Sequence, residues 1–309
     1  MSSFDVVTVG SAVIDHNYSL SNLPKPDGGA FARDHATDLG GVAANVASAL
    51  AGFGNTAGII TRVGVDDAAE IESDLQTREV DCSRIQAGPE ESSYTLILRD
   101  PDGERMIVAG GQSVPNLRLD ARDIEYAGDA SVVFTSAYAP DEVVSKLVTA
   151  RERREISTLV FDLAGPLSEL EGRGTTPETI DRLLSVVDLF VVGEVAAHSY
   201  FGGGADEAVA TLTQRNVSRA AVTQGSNGAR LLEGDIVTDV PAFEVDVNDT
   251  TGAGDTFTAG LIHTWLLNDY SARNAGRFAA AAAALNCAEP GARGNLPSEP
   301  DVREFIETQ

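Results

Sequence analysis

Four short apolar runs recur through the second half of the chain, at 130–136, 158–162, 189–192 and 220–223. Helically patterned segments lie between them at about 139–155, 176–187 and 205–216. Strands alternating with helices of roughly 10–15 residues build βαβ units, so the pattern demands a parallel sheet with helices on both faces. The first half adds core strands at 4–9, closed by Gly10, and at 58–63, followed by a helical stretch through Glu79. With 309 residues, 43% of them hydrophobic, the chain can fill such a sheet's cores as one large α/β domain with an appendage. The appendage is expected from two stretches outside the alternation. Residues 20–38 hold Pro24, Pro26, Gly28 and Gly29 without a helical period, and 92–109 turns β around Asp100-Pro101-Asp102-Gly103, a hairpin signal.

The run Asp249-Thr250-Thr251-Gly252-Ala253-Gly254-Asp255-Thr256-Phe257 carries the chemistry. Residues 240–247 before it read as extended, and Phe257, Leu261 and Trp265 after it form a helical stripe, so the glycines sit at a helix start. Unpaired N–H groups and the positive end of the helix dipole invite an anion there, and Gly252 and Gly254 let a phosphate approach without a Cβ in the way. Asp255 would repel a resting phosphate but can take a proton from a hydroxyl that attacks one. That pairing points to phosphoryl transfer. The plainer reading, an ordinary acid and loop glycines at a helix start, leaves the order of extended segment, glycine loop and helix unexplained.

Two further places suit a polyhydroxyl ligand. Asp15 follows the first strand at its C-terminal end, where open α/β sheets bind ligands; the alternative is a turn aspartate. Gly40 and Gly41 open a helix with the stripe Val42, Val46, Ala49, Leu50 and Phe53, ended by Gly54. Asn45 lies off that stripe, and its amide can both donate to and accept from hydroxyls.

Charge excludes several functions. There are 47 Asp plus Glu against 22 Lys plus Arg, a formal net charge of −25, and Lys25 and Lys146 are the only lysines. Such a surface repels nucleic acid and anionic membranes. Dispersed acid with scarce lysine fits solubility in concentrated salt, so a halophilic cytoplasm is expected. Cys82 and Cys287 have no ligand spacing and are read as free thiols. No apolar run reaches the roughly 18 residues of a membrane span and no basic leader is evident, which suits a soluble cytoplasmic protein.

The run 249–257 resembles the C-terminal signature of the ribokinase-like (PfkB) carbohydrate kinases, and Gly40-Gly41-Val42-Ala43-Ala44-Asn45-Val46-Ala47 resembles their N-terminal one. The resemblance covers nearly the whole chain. It implies a three-layer α/β/α sandwich with a mostly parallel central sheet, formed by 1–10, 39–90 and 112–309, and a small β lid of 11–38 and 91–111. It implies ATP-dependent phosphorylation of a sugar hydroxyl, with Asp255 as general base and the backbone of Gly252, Ala253 and Gly254 as anion hole. Asp15, Gly41 and Asn45 would hold the sugar, and Thr223, Gly225, Gly228 and Thr251 the nucleotide. The alanine-rich stretch 279–288 would line the adenine. Mg²⁺ is implied, with Glu194 acting through water, and K⁺ at Asp249 and Thr251 beside the loop 290–292. Pairing of lid strands implies a homodimer.

Two departures matter. Val42 stands where ribokinases carry lysine, which favours a ketohexose or related sugar over ribose. The asparagine of the family's Asn-x-x-Glu motif is absent from Val191-Val192-Gly193-Glu194-Val195-Ala196-Ala197-His198, where only Glu194 stands nearby, which weakens the magnesium contacts. A nucleoside kinase shares both signatures, and a non-catalytic sugar sensor is the reading outside enzymes. A Rossmann dehydrogenase is disfavoured because no Gly-x-Gly-x-x-Gly follows the first strand. Arg105, alone on a lid strand, is read as solvated.

Overall fold

The structure is a computed structural model that describes residues 3–289, 291–293 and 296–309. In chain order the strands are β1 (Phe4–Val9), β2 (Val13–Leu20), β3 (Ala32–Gly40), β4 (Ala57–Gly64), β5 (Val80–Gly88), β6 (Tyr94–Arg99), β7 (Arg105–Gly110), β8 (Ala130–Ser136), β9 (Leu159–Asp162), β10 (Leu189–Gly193), β11 (Arg219–Thr223), β12 (Ala229–Glu233) and β13 (Ile236–Val240). The helices are α1 (Val42–Gly52), α2 (Ala68–Thr77), α3 (Ala121–Gly128), α4 (Asp141–Glu152), α5 (Leu167–Leu170), α6 (Pro177–Leu183), α7 (Glu194–Phe201), α8 (Ala205–Gln214), α9 (Ala253–Leu261), α10 (Ala272–Cys287) and α11 (Glu299–Thr308).

The apolar runs become the middle of a nine-stranded sheet in the order β13-β12-β11-β10-β9-β8-β1-β4-β5. From β5 to β11 every neighbouring pair is parallel, and β12 and β13 close the far edge as an antiparallel hairpin. Such strands are apolar on both sides because both faces are covered. Val6, Phe134 and Val160 face a core shared with α1, α2, α9, α10 and α11, while Val7, Phe161 and Phe190 face one shared with α3, α4 and α6 to α8. The fold is therefore a three-layer α/β/α sandwich. Strand β1 has β4 on one side and β8 on the other. The order of strands thus reverses beside β1, and a crevice opens above its carboxyl end.

A second sheet of four strands, ordered β3-β2-β6-β7, lies over that crevice. Its pairing sets Asp15 opposite Thr95 and Asn17 opposite Ile97, with Ala109 and Ile107 next in line, all on one face. The other face carries His16, Tyr18, Leu96, Leu98, Met106 and Val108, and Met106 and Val108 are about half exposed, at 49% and 51%.

Two local expectations change. The extended segment stops at Val240, and 241–247 is irregular and largely open to solvent, because Pro241 has no N–H to continue the ladder. Strand β5 follows α2 where no strand is read from the sequence. It is a sheet edge, and its polar residues break the apolar pattern. Helix α9 continues into a π-helical segment, Ile262–Leu267, and Gly260 lets α10 approach until a Cβ there would lie 2.8 Å from Ala279 Cα. Ala279 of α10 thus serves a close helix contact. Among the described residues no helix is long and apolar enough to cross a membrane.

Candidate active site

Between the two sheets lies a cavity of about 490 Å³, lined by Gly41, Asn45, Gly252 and Asp255 from below and by Asp15, Thr95, Ile97, Ile107 and Ala109 of the second sheet from above. Its floor consists of two helix N-termini. Helix α1 starts at Gly41, whose φ of +100° and close approach to Ser11, 2.6 Å from a Cβ to the carbonyl oxygen, exclude any side chain. Helix α9 starts at Gly252, in the left-handed conformation with φ +78°, where a Cβ would collide with the Ala292 carbonyl. Gly254 is different: a Cβ there would meet nothing within 4 Å. Packing does not require a glycine at 254.

Asn45 Nδ2 donates to Asp255 Oδ2 at 2.7 Å, joining residues from the two signatures. Asn45 Oδ1 is buried with no hydrogen-bond partner among the described residues, an acceptor left for a hydroxyl donor. Asp255 touches the cavity, yet protein crowds it on the other sides. This burial pushes its pKa to about 7, with Asp162 and Asp15 adding to the rise while Asn45 and Arg293 oppose it. A carboxylate with that affinity accepts a proton readily near neutral pH. Asp15 is also buried and also raised, mainly by burial, although Thr95 Oγ1 donates to it. Gly40 makes room for it, since a Cβ there would overlap the Asp15 carboxylate.

The residues expected at the nucleotide stand apart from the cavity lining. Thr223 ends β11, Gly225 and Gly228 shape the turn into β12 with φ of +55° and +87°, and a Cβ on Gly228 would strike the Val240 carbonyl. Thr223 pairs in register with Gly193, so the exposed Glu194 lies on the same carboxyl edge of the sheet. Thr251 lines the cavity itself. Among the described residues no three acidic, histidine or cysteine side chains gather as a metal cage. A lone Glu194 fits a magnesium ion held mostly by phosphate oxygens and water.

Asp249 does not fit a bound cation. Its Oδ1 accepts from Thr251 N at 3.0 Å, Thr251 Oγ1 at 2.7 Å and Arg99 Nη2 at 3.2 Å, and Oδ2 accepts from Gly291 N at 3.2 Å. These donors outweigh the effect of burial and hold its pKa below the ordinary carboxylate range. Pro290 of the expected loop lies outside the described residues.

Sequence reasoning passes over several groups. Asp162 ends β9 beneath the cavity, with its pKa pushed by burial to about 6, and accepts from Ala164 N at 2.8 Å. Its place at the carboxyl end of β9 is the signal available. Arg293 is buried, donates to the Leu39 carbonyl at 2.7 Å and pairs with Asp74 at 2.7 Å. Arg173 donates to the Ala109 carbonyl of the lid at 2.9 Å. Arg105 is exposed, as read, but its Nη1 also reaches Thr251 Oγ1 at 3.5 Å.

The sandwich, its lid and a floor of two glycine-started helices define a phosphotransferase with a hydroxyl group as acceptor. The chain belongs to the pfkB family of carbohydrate kinases, whose pattern it matches over residues 3–299. It is 31% identical to the ATP-dependent ribose-1-phosphate kinase of Halopiger xanaduensis, over 97% of each chain, and 25% identical to the ribokinase of Bacillus subtilis over 98% and 99%. Its fold superposes with a TM-score of 0.86 on Arabidopsis thaliana ribokinase complexed with ribose and ATP, at 24% identity over 99% of each chain. The nucleoside kinase of Burkholderia thailandensis, in complex with inosine, superposes with a TM-score of 0.83 at 20% identity over 98% and 96%.

Proposed function

We propose that this chain transfers the γ-phosphoryl group of ATP to a hydroxyl of a sugar, with Asp255 as general base. The observation that supports this best is the Asp255 carboxylate, with a pKa of about 7, facing the cavity at the N-terminus of α9 and held by Asn45. A hydroxyl within hydrogen-bond reach of Asp255 would pass it a proton as the oxygen attacks phosphorus. The N–H groups of Gly252, Ala253 and Gly254 would carry the charge on the transferring group, with no side chain at 254 to displace it. Asp15, Gly41 and Asn45 would orient the sugar, and the apolar lid residues Ile97 and Ile107 would keep water from competing as acceptor. Glu194 would be the residue to hold Mg²⁺ through water, and that ion would supply neutralising charge to the polyphosphate. Thr223, Gly225 and Gly228 would shape the nucleotide side of the same sheet edge.

Val42 at the cavity favours a ketohexose or related sugar over free ribose. The large domain would comprise 1–10, 39–90 and 112–309, and the lid 11–38 and 91–111. The open apolar lid face with Met106 and Val108 suits a second copy of the chain, giving a homodimer in a salt-rich cytoplasm. The test is ADP release with MgATP in concentrated KCl across ketohexoses, aldohexoses, ribose, ribose 1-phosphate, keto-deoxy sugar acids and nucleosides. Turnover on a sugar, abolished by Asp255→Ala, supports the reading. Turnover on nucleosides alone replaces it with a nucleoside kinase, and binding of ATP and sugar without turnover replaces it with a sensor.

A further inference from the structure

Asp249 stands three residues before Gly252, is 8% exposed, and its carboxylate accepts from Thr251 of the loop proposed to bind phosphate. Thr251 and Gly291 supply only neutral dipoles. A carboxylate so placed needs a countercharge, both for its own burial and to avoid repelling the anion above it. The positive group present is the Arg99 guanidinium, the last residue of β6, 3.2 Å from Asp249 Oδ1. Arg99 pairs directly across the lid hairpin with Arg105, and like charges set opposite one another destabilise a hairpin. Both side chains reach instead to the loop, Arg99 to Asp249 and Arg105 to Thr251. In a chain with 47 acidic and 22 basic residues, two adjacent arginines over one loop are a marked concentration of positive charge.

We infer that Arg99 takes the place of a monovalent cation at Asp249, so that closure of the lid itself neutralises the carboxylate beneath the phosphate loop. The inference rests on the reading of 249–255 as that loop. It makes the chain's nucleotide affinity independent of the kind of monovalent cation and couples lid position to the charge of the loop. With Arg99 removed, Asp249 regains its repulsion toward phosphate, and a small cation gains a reason to bind.

The experiment compares KCl with choline chloride at matched ionic strength, reading the ADP dissociation constant and the thermal midpoint. Wild-type protein is expected to give the same values in both salts, within about twofold in affinity. Arg99→Gln should bind ADP about tenfold more weakly in choline, with KCl restoring most of the loss and raising the midpoint of this variant alone. Arg99→Lys, which keeps the charge, should follow the wild type. The inference is overturned if KCl tightens ADP binding or raises the midpoint of the wild type, or if Arg99→Gln matches the wild type in choline. If no ADP binds in any salt, the kinase reading fails. The midpoint then decides alone: a K⁺-specific rise confined to Arg99→Gln supports the assignment, and no such rise overturns it.

Discussion

The floor of the cavity grows out of the core, whereas its roof stands almost free of it. Below, Phe257, Ala259 and Leu261 of α9 are at most 6% exposed, and Ala43 to Leu50 of α1 are buried throughout. Above, every residue of β7 before Gly110 is exposed, and so is most of β3. A helix start wedged into a packed core holds its polar groups to fixed positions, as the chemistry of a base and an anion hole requires. Strands with little buried area open at low cost, as the entry of substrate requires. On the proposed reading, positioning falls mostly to the floor and access to the roof, with Asp15 of β2 the exception, and the two layers are joined by polar contacts that include Arg99 to Asp249, Arg105 to Thr251, Arg173 to Ala109 and Arg293 to Leu39.

Substitutions below should therefore change the rate, and substitutions above the affinity. The largest expected effect is from Asp255→Ala, which should lower kcat by about 10²–10⁴-fold while ADP still binds. Wild-type turnover in that variant would remove the base from the floor. The pH profile comes next: with a pKa of about 7, Asp255 should give kcat an acid limb falling about tenfold per pH unit below neutrality. Asp162→Asn, by deleting a neighbouring negative charge, should move that limb to lower pH. An unmoved limb would mean that the titrating group lies elsewhere. Asn45→Ala should cost about 10–100-fold in kcat/KM, the worth of a hydrogen bond to a charged group. At the roof, Arg173→Ala should raise KM by about two- to tenfold and leave kcat unchanged, and a fall in kcat would blur the division of labour.

The smallest effect concerns stability. The pKa of Asp255 is raised from 3.8 to about 7 by folding, so its contribution favours the fold at low pH and is lost as pH climbs through about 7. Asp255→Asn should accordingly unfold at a higher temperature than the wild type at pH 8 while losing activity. Equal midpoints would show that the carboxylate is better solvated than its surroundings suggest.

The helix starts at Gly41 and Gly252, with Asn45 and Asp255 behind them, were legible because each is written in contiguous residues with a local physical cause. So was the alternation that makes the sheet parallel. Contacts that depend on where the second sheet rests were not. Arg99 meets Asp249 across 150 residues, and nothing in the run 94–99 announces it. Asp162 looks like any strand end until the sheet order puts β9 beside β8 and near α9. Strand β5 was missed because an edge needs an apolar pattern on one side only. The segment 241–247 misled in the opposite sense, its β-rich composition yielding to one proline.

The hydrogen bond between Asn45 and Asp255 also has a bearing on how the protein is made. It joins residues 210 apart, and α9 and α10 cover the face of the sheet on which α1 lies. While a ribosome is still extending the chain, α1 and β1 therefore wait with an apolar side uncovered until the last quarter emerges. On the proposed reading, two consequences would follow together: a partly synthesised chain would lack the base and could not transfer phosphate, and the nascent chain would carry uncovered apolar surface until α9 and α10 emerge.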